Sequence, residues 1–344
     1  MNGSGPSRLV MPIVYGLIAL GFCARLFASP HGVGLGDWDQ HLFFYGSVLK
    51  NVIEYGAAPY WNPWYCGGNV LWANPQVALL SPVYPLATVT SLPLAMKLNI
   101  VLHYWVGLVG MHLLLRRVVG LRSRPVTVYL ASVFTLSGAH VLHLAVGHSV
   151  FLPAFFFPLF FYAIFCAFEG GALRAVCAGS AVLALMIFAG GMHVVPMALV
   201  SAGCLAALTA VQTRRWRPVL VVALVAALGL AYAGPKLVPV AMFVGGEQFS
   251  DARELMERIE WMSLEMLVVT YTSRYPDASP SFDMQYHGWH EYANYAGSLF
   301  ALFFLGSLIW IAVNRRVGGW WLGLASAGTA LFTLLFSAGE FAPW

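Results

Sequence analysis

The chain has 344 residues, of which 60% are hydrophobic, 15% aromatic and only 9% charged, and its mean hydropathy is +0.74. This balance excludes a water-soluble enzyme and a disordered tail protein, and apolar runs of about twenty residues exclude an outer-membrane barrel, whose strands alternate in short segments. The formal net charge of +4 gains meaning only when it is sorted by side of a membrane.

Apolar runs begin near residues 9, 95, 125, 149, 172, 191, 218, 293 and 319. They predict an all-α polytopic membrane protein, a single membrane domain over residues 1–344 with about nine transmembrane helices. The first run, LVMPIVYGLIALGFCARLFA, is long enough to span and is followed by no small-residue cleavage site, so it reads as a helix and not a signal peptide. With the N-terminus inside, Arg8, Arg116, Arg117, Arg122, Arg124, Arg174, Arg214, Arg215, Arg217, Arg315 and Arg316 fall on the inner side. Arg25, Lys50, Lys97, Lys236, Arg253, Arg258 and Arg274 fall outside, and the short Arg-rich loops favour this orientation. Of the 14 carboxylates only Glu169 falls inside. The inner basic clusters are short and lack interleaved aromatics, so they signal topology and not nucleic-acid binding. Cys23, Cys166, Cys177 and Cys204 lie in or beside apolar runs and only Cys66 lies in an outer loop, which argues against a disulfide framework.

Two long loops fall outside, at residues 29–94 and 237–292. The first has helical character from Gly36 through about Glu54, with Gly56 and Pro59 stopping it. Trp38, Leu42, Tyr45, Leu49 and Val52 recur at helical spacing, as expected of an apolar face lying in the headgroup region. Asp37, Gln40, His41 and Phe44 share another face, with Asp37 at the helix N-terminus, where the dipole favours its ionised form or where it caps the helix. Asp39 completes an Asp-x-Asp resembling a pair for a divalent cation, Mg or Mn, although the two positions point about 200° apart on a helix. PYWNPWYCGGNVLWANPQ then reads as an ordered loop, with Asn62 and Asn74 as turn formers before proline or as ligands. In the second loop SDARELMERIEWM predicts a short amphipathic helix with Asp251 as cap and a Glu254–Arg258 pair. HGWHE follows, bringing His287, His290 and Glu291 to the edge of the next span as acceptor-side hydrogen bonders. His140, His143, His148 and His193 invite a zinc reading, but residues 140–148 contain no Cys, Asp or Glu.

The GDWDQ, WNP and ANPQ elements of the first loop resemble the N-terminal signature of the YfhO family of bacterial polytopic membrane proteins, which is similar in turn to the GT-C class of glycosyltransferases. Lys236 and Pro239, the SDAR stretch and EYANYAG support the likeness, which covers essentially the whole chain, although family members are typically much longer and this chain reads as a fragment or a reduced member. The resemblance implies a GT-C-like fold and transfer of a sugar from a polyprenyl-phosphate donor, with inversion, to an envelope glycan or lipid acceptor on the outer face of the bacterial inner membrane. It places Asp37, with Asp39, as catalytic acid or base, and Arg253, with Lys236 and Arg258, at the donor phosphate. Gln40, His41, Asn62, Asn74, Gln76, His287, His290 and Glu291 become substrate-binding candidates. The one cofactor the resemblance leaves open is a divalent cation, Mg or Mn, held through Asp37 and Asp39. Trp61, Trp64 and Trp72 serve as sugar platforms, prenyl-groove walls or interfacial anchors. The competing expectations are a non-catalytic subunit of a larger membrane complex, with protein partners in the bilayer, and a lipid or sugar transporter or flippase, for which inverted repeats and mid-membrane charges are not evident.

Overall fold

The computed structural model describes residues 7–34, 36–65, 67–170 and 173–245. The apolar runs near 293 and 319, the SDAR helix, Arg253, Arg258, His287, His290, Glu291 and Cys66 lie outside the described residues.

The described chain is overwhelmingly helical. In order it forms α1 (Ser7–Phe22), α2 (Trp38–Leu49), which continues as a π-helical turn over Lys50–Glu54, a two-residue hairpin of β1 (Trp61–Asn62) and β2 (Asn69–Val70), and α3 (Val83–Ala87). Then come α4 (Leu92–Leu113), extended as a π-helix over Leu114–Val118, α5 (Arg124–Thr135), α6 (Gly138–Ala145), a 3-10 helix over Ser149–Phe156, and α7 (Phe157–Phe168). The series closes with α8 (Leu173–Phe188), α9 (Val194–Thr213), α10 (Arg217–Tyr232) and α11 (Gly234–Val244).

Seven of the expected apolar runs thus become helices at the expected places. Four are long and apolar enough to cross a membrane: Leu92–Val118, Arg124–Ala145, Ser149–Phe168 and Val194–Thr213. α10 and α11 reach that length only together, as a pair bent by 81° at Ala233 that forms a broken span or a re-entrant loop, while Val10–Phe22 and Leu173–Phe188 are shorter apolar helices. Proline opens α4, α5, α7, α10 and α11 within the first two positions. There the missing N–H is one of the helix's unpaired donors in any case, so proline marks the start of a helix without weakening it.

Two apolar cores hold the bundle. Tyr15 and Ala19 of α1, Ile100, Tyr104 and Leu108 of α4 and Ala131 of α5 close on Phe155. Phe160 and Ile164 of α7, Leu183 and Ile187 of α8, Ala198 and Ala202 of α9 and Val225 of α10 form the other. Small residues let the backbones approach: a Cβ at Gly179 would meet Val225 at 3.3 Å, and one at Gly229 would meet Leu183 at 2.7 Å.

The face of α2 that the sequence shows as apolar turns in part into the protein. Trp38 and Tyr45 pack into the first core, and Phe44 and Val48, on the other side, pack with Leu71 and Val77 of the following loop. Trp38 is anchored further by its indole N–H, which donates to Leu144 O at 2.6 Å. α2 is therefore buried along both flanks, with Asp39 in its first turn and the residues from Val52 to Glu54 at its π-helical end left open.

α2 and the loop after it close over one end of the bundle: the start of α2 meets Leu144–His148, and the loop meets Phe188–Gly190 and Pro235–Lys236. At the opposite end lie the arginine-rich turns, where Arg116 Nη1 donates to the carbonyls of Leu121 and Arg122 at 2.8 and 2.5 Å.

Candidate functional site

The adjacency of Gly36 and Asp37 has a geometric consequence. Gly36 sits at φ +61°, and a Cβ there would collide with the carbonyl oxygen of Val146. The facing Gly147 is at φ +95°, and its Cβ would fall 2.7 Å from the backbone N of Asp37. Two glycines thus let the start of α2 lie flat on the turn after α6, and Asp37 N–H closes the contact by donating to Val146 O at 2.8 Å.

This contact brings four ionisable side chains together. Asp37 occupies the N-cap position of α2, yet its carboxylate makes no capping hydrogen bond. It stays 56% exposed, with Oδ2 3.8 Å from Nε2 of His148. His148 Nδ1 lies 3.1 Å from His143 Nδ1. Of two facing ring nitrogens one must donate and the other accept. With both rings neutral, the tautomers that turn hydrogen and not a lone pair toward the carboxylate have His143 donating to His148 and His148 protonated on Nε2. His41, one turn into α2, is buried. Burial lowers its pKa from 6.5 to about 4, against the opposing pull of Asp37 and of its bond to the Gly147 backbone, and with a further push down from His148. Phe151 stacks on His143 at 4.0 Å between centroids and lies parallel to His193 at 6.0 Å, extending the imidazole group along the same end of the bundle. His140 is elsewhere, against Phe134 and Phe155.

The remaining candidates separate by what their atoms already do. Asp39 is exposed in the first turn of α2 and Gln40 is partly exposed beside it. Asn62 Oδ1 accepts from Trp64 N at 3.1 Å and Asn74 Oδ1 from Gln76 N at 3.0 Å, so both oxygens form the turns expected before proline and neither is offered to a ligand. The Gln76 side chain is exposed. Lys236 is a correction. It is wholly buried, and its ammonium donates to Trp72 O at 2.8 Å, Asn74 O at 2.7 Å and Val77 O at 2.9 Å. An ammonium has three donors, and all three are spent on the loop and not on a phosphate. Among the described residues no group of three or more His, Cys, Asp or Glu is placed to hold a metal ion, so the Asp37 and Asp39 pair finds no further ligand there.

An apolar groove of about 480 Å³ opens beside the far end of α2, walled by Val48, Leu49, Val52, Trp72, Tyr84, Phe188 and Pro235. Trp72 is fixed there by donating its indole N–H to Pro235 O at 2.8 Å. Trp64 instead stacks with Tyr55 at 6.0 Å and lies under the Lys50 ammonium at 4.9 Å. Val48 is eleven residues beyond Asp37, about 17 Å along the helix axis.

Sequence reading assigned Asp37 but not its partners. For His143 and His148 the sequence offers a zinc reading that the lack of Cys, Asp or Glu in residues 140–148 argues against, and the signal it does carry is the adjacent Gly147 and His148. Comparison of the chain with protein-family models, with curated proteins and with solved structures finds no match.

Proposed function

We propose that the chain is a GT-C-like membrane glycosyltransferase that takes a sugar from a polyprenyl-phosphate donor and transfers it to an acceptor hydroxyl of an envelope glycan or lipid. The observation that carries this reading is the Asp37 carboxylate, which stands at a helix N-terminus without capping it and faces an imidazole pair. A carboxylate left free in this way is available as a general base.

In the proposed reaction the acceptor oxygen attacks the anomeric carbon as its proton passes to Asp37. The bond from that carbon to the donor phosphate breaks, the electron pair leaves with the phosphate, and the configuration inverts. His148, with a proton on the nitrogen facing the carboxylate, orients Asp37, and His143 fixes the His148 tautomer. The groove at Val48, Trp72 and Phe188 suits the prenyl chain, leaving the length of α2 for phosphate and sugar. The outward placement of this end, in a bacterial inner membrane, rests on the arginine-rich turns at the other end. The GDWDQ, WNP and ANPQ resemblance supports the donor class.

Asp37→Asn is expected to lower sugar transfer from a polyprenyl-phosphate donor in membrane vesicles by about 10²- to 10⁴-fold, with Asp39→Asn close to wild type. Transfer retained by the Asp37 variant would overturn the assignment.

A further inference from the structure

A second cavity, of about 200 Å³, lies between the loop before α3, the middle of α4, the 3-10 helix before α7 and the end of α8, and opens to the surface beside Leu80 and Leu185. Its walls include Leu102, Phe156 and Leu185, and among them stand Asn99 and His103. Both are buried, at 3% and 5% exposure. Asn99 Oδ1 and His103 Nε2 have no hydrogen-bond partner among the described residues. The chemistry of the His103 ring is fixed from its other side. Nδ1 lies 2.8 Å from the Asn99 carbonyl, which can only accept, so Nδ1 carries the proton and Nε2 of the neutral ring presents a lone pair. Counting from Leu92, His103 stands about 17 Å along α4, a helix long enough to cross a membrane. At that depth an unsatisfied polar group is costly and marks a site.

We propose that this cavity binds a small uncharged molecule with one hydroxyl and an apolar body, such as a phenol or a cyclic alcohol. The hydroxyl donates to His103 Nε2, and the Asn99 amide, which can turn to present either of its ends, meets it from the other side. The walls exclude the alternatives. No Lys, Arg, Asp or Glu lines the cavity, so an ion would be desolvated without a counter-charge. Besides Asn99 and His103, the polar side chains of the lining are the hydroxyls of Tyr45 and Ser81, which bond to each other, so a water cluster filling this volume would lack the two to four polar partners that each water needs. In size, a cavity of about 150 Å³ accommodates benzene, so a ring with one hydroxyl fits here. The site is distinct from Asp37 and its test uses no glycosyl donor, so it stands or falls apart from the transferase reading.

The test is nuclear magnetic resonance on the full chain in micelles with 15N-labelled histidine, titrated with phenol, with anisole, which cannot donate, and with toluene. The expected result is a saturable shift of one Nε2 resonance with phenol, and binding of anisole and toluene at least about tenfold weaker without that shift. In His103→Phe, which keeps a ring of similar size, the resonance disappears and the three compounds bind alike. Equal binding of the three to the wild-type chain, or no saturable shift with phenol, would overturn the proposal whether or not the variant folds.

Discussion

Asp37 and His41 are one helical turn apart and are treated oppositely by the fold: the carboxylate is left half open to solvent, while the imidazole is enclosed. The enclosure couples stability to pH. In the unfolded chain His41 takes up a proton below about 6.5, and in the folded chain only below about 4. Between these values the unfolded state binds more protons. The stabilising contribution is therefore complete above pH 6.5, falls as the pH drops toward 4 and is flat below it. The gap corresponds to at most about 3 kcal/mol. His41→Phe keeps an aromatic ring against Trp38 and Phe44 and is expected to flatten the decline of melting temperature between pH 7 and 4. An unchanged decline would show that other groups carry it. None of this was legible in the sequence, where His41 shares a helix face with Asp37 and looks equally accessible.

Lys97 and Lys236 make the corresponding point for elements. In the sequence both count as outer-side charges. In the fold both are buried and tie the loop of residues 29–94 to the helices: Lys97 Nζ donates to the Ser29 carbonyl, and Lys236 gathers three carbonyls from Trp72 to Val77. A loop rich in Asn-Pro turns has many carbonyls with no helical or sheet partner, and one ammonium satisfies three of them. Lys236→Met preserves much of the side-chain volume but leaves those acceptors bare. The expected loss is about 3 kcal/mol, read as a lower melting temperature in detergent, together with faster proteolysis at residues 72–77. Full stability would show that water replaces the ammonium there. The Asn-Pro turns themselves were readable in advance, because the Asn side chain bonds to backbone two residues on whatever surrounds it. What binds the turn's leftover carbonyls was not, because the donor is about 160 residues away in sequence.

For the whole molecule, the expected orientation has a direct test. Val89, 79% exposed in the stretch between α3 and α4, lies on the predicted outer side, and Arg122, exposed between α4 and α5, on the inner. Cysteines introduced at these positions in a Cys66→Ser background are expected to differ: Val89→Cys reacts with an impermeant maleimide in intact cells, and Arg122→Cys only after lysis. The reverse pattern would invert the topology and with it the placement of Asp37 outside. The sequence by itself determined the membrane class and the positions of seven apolar helices, because these depend on composition and local backbone chemistry along one segment. Only the tertiary structure decided that α2 is buried on both flanks, that Asp37 meets His148 through the paired glycines Gly36 and Gly147, and that Lys236 is consumed by the loop. Each of these depends on which distant backbone atoms come within a few ångströms, and periodicity along a single segment carries no record of that.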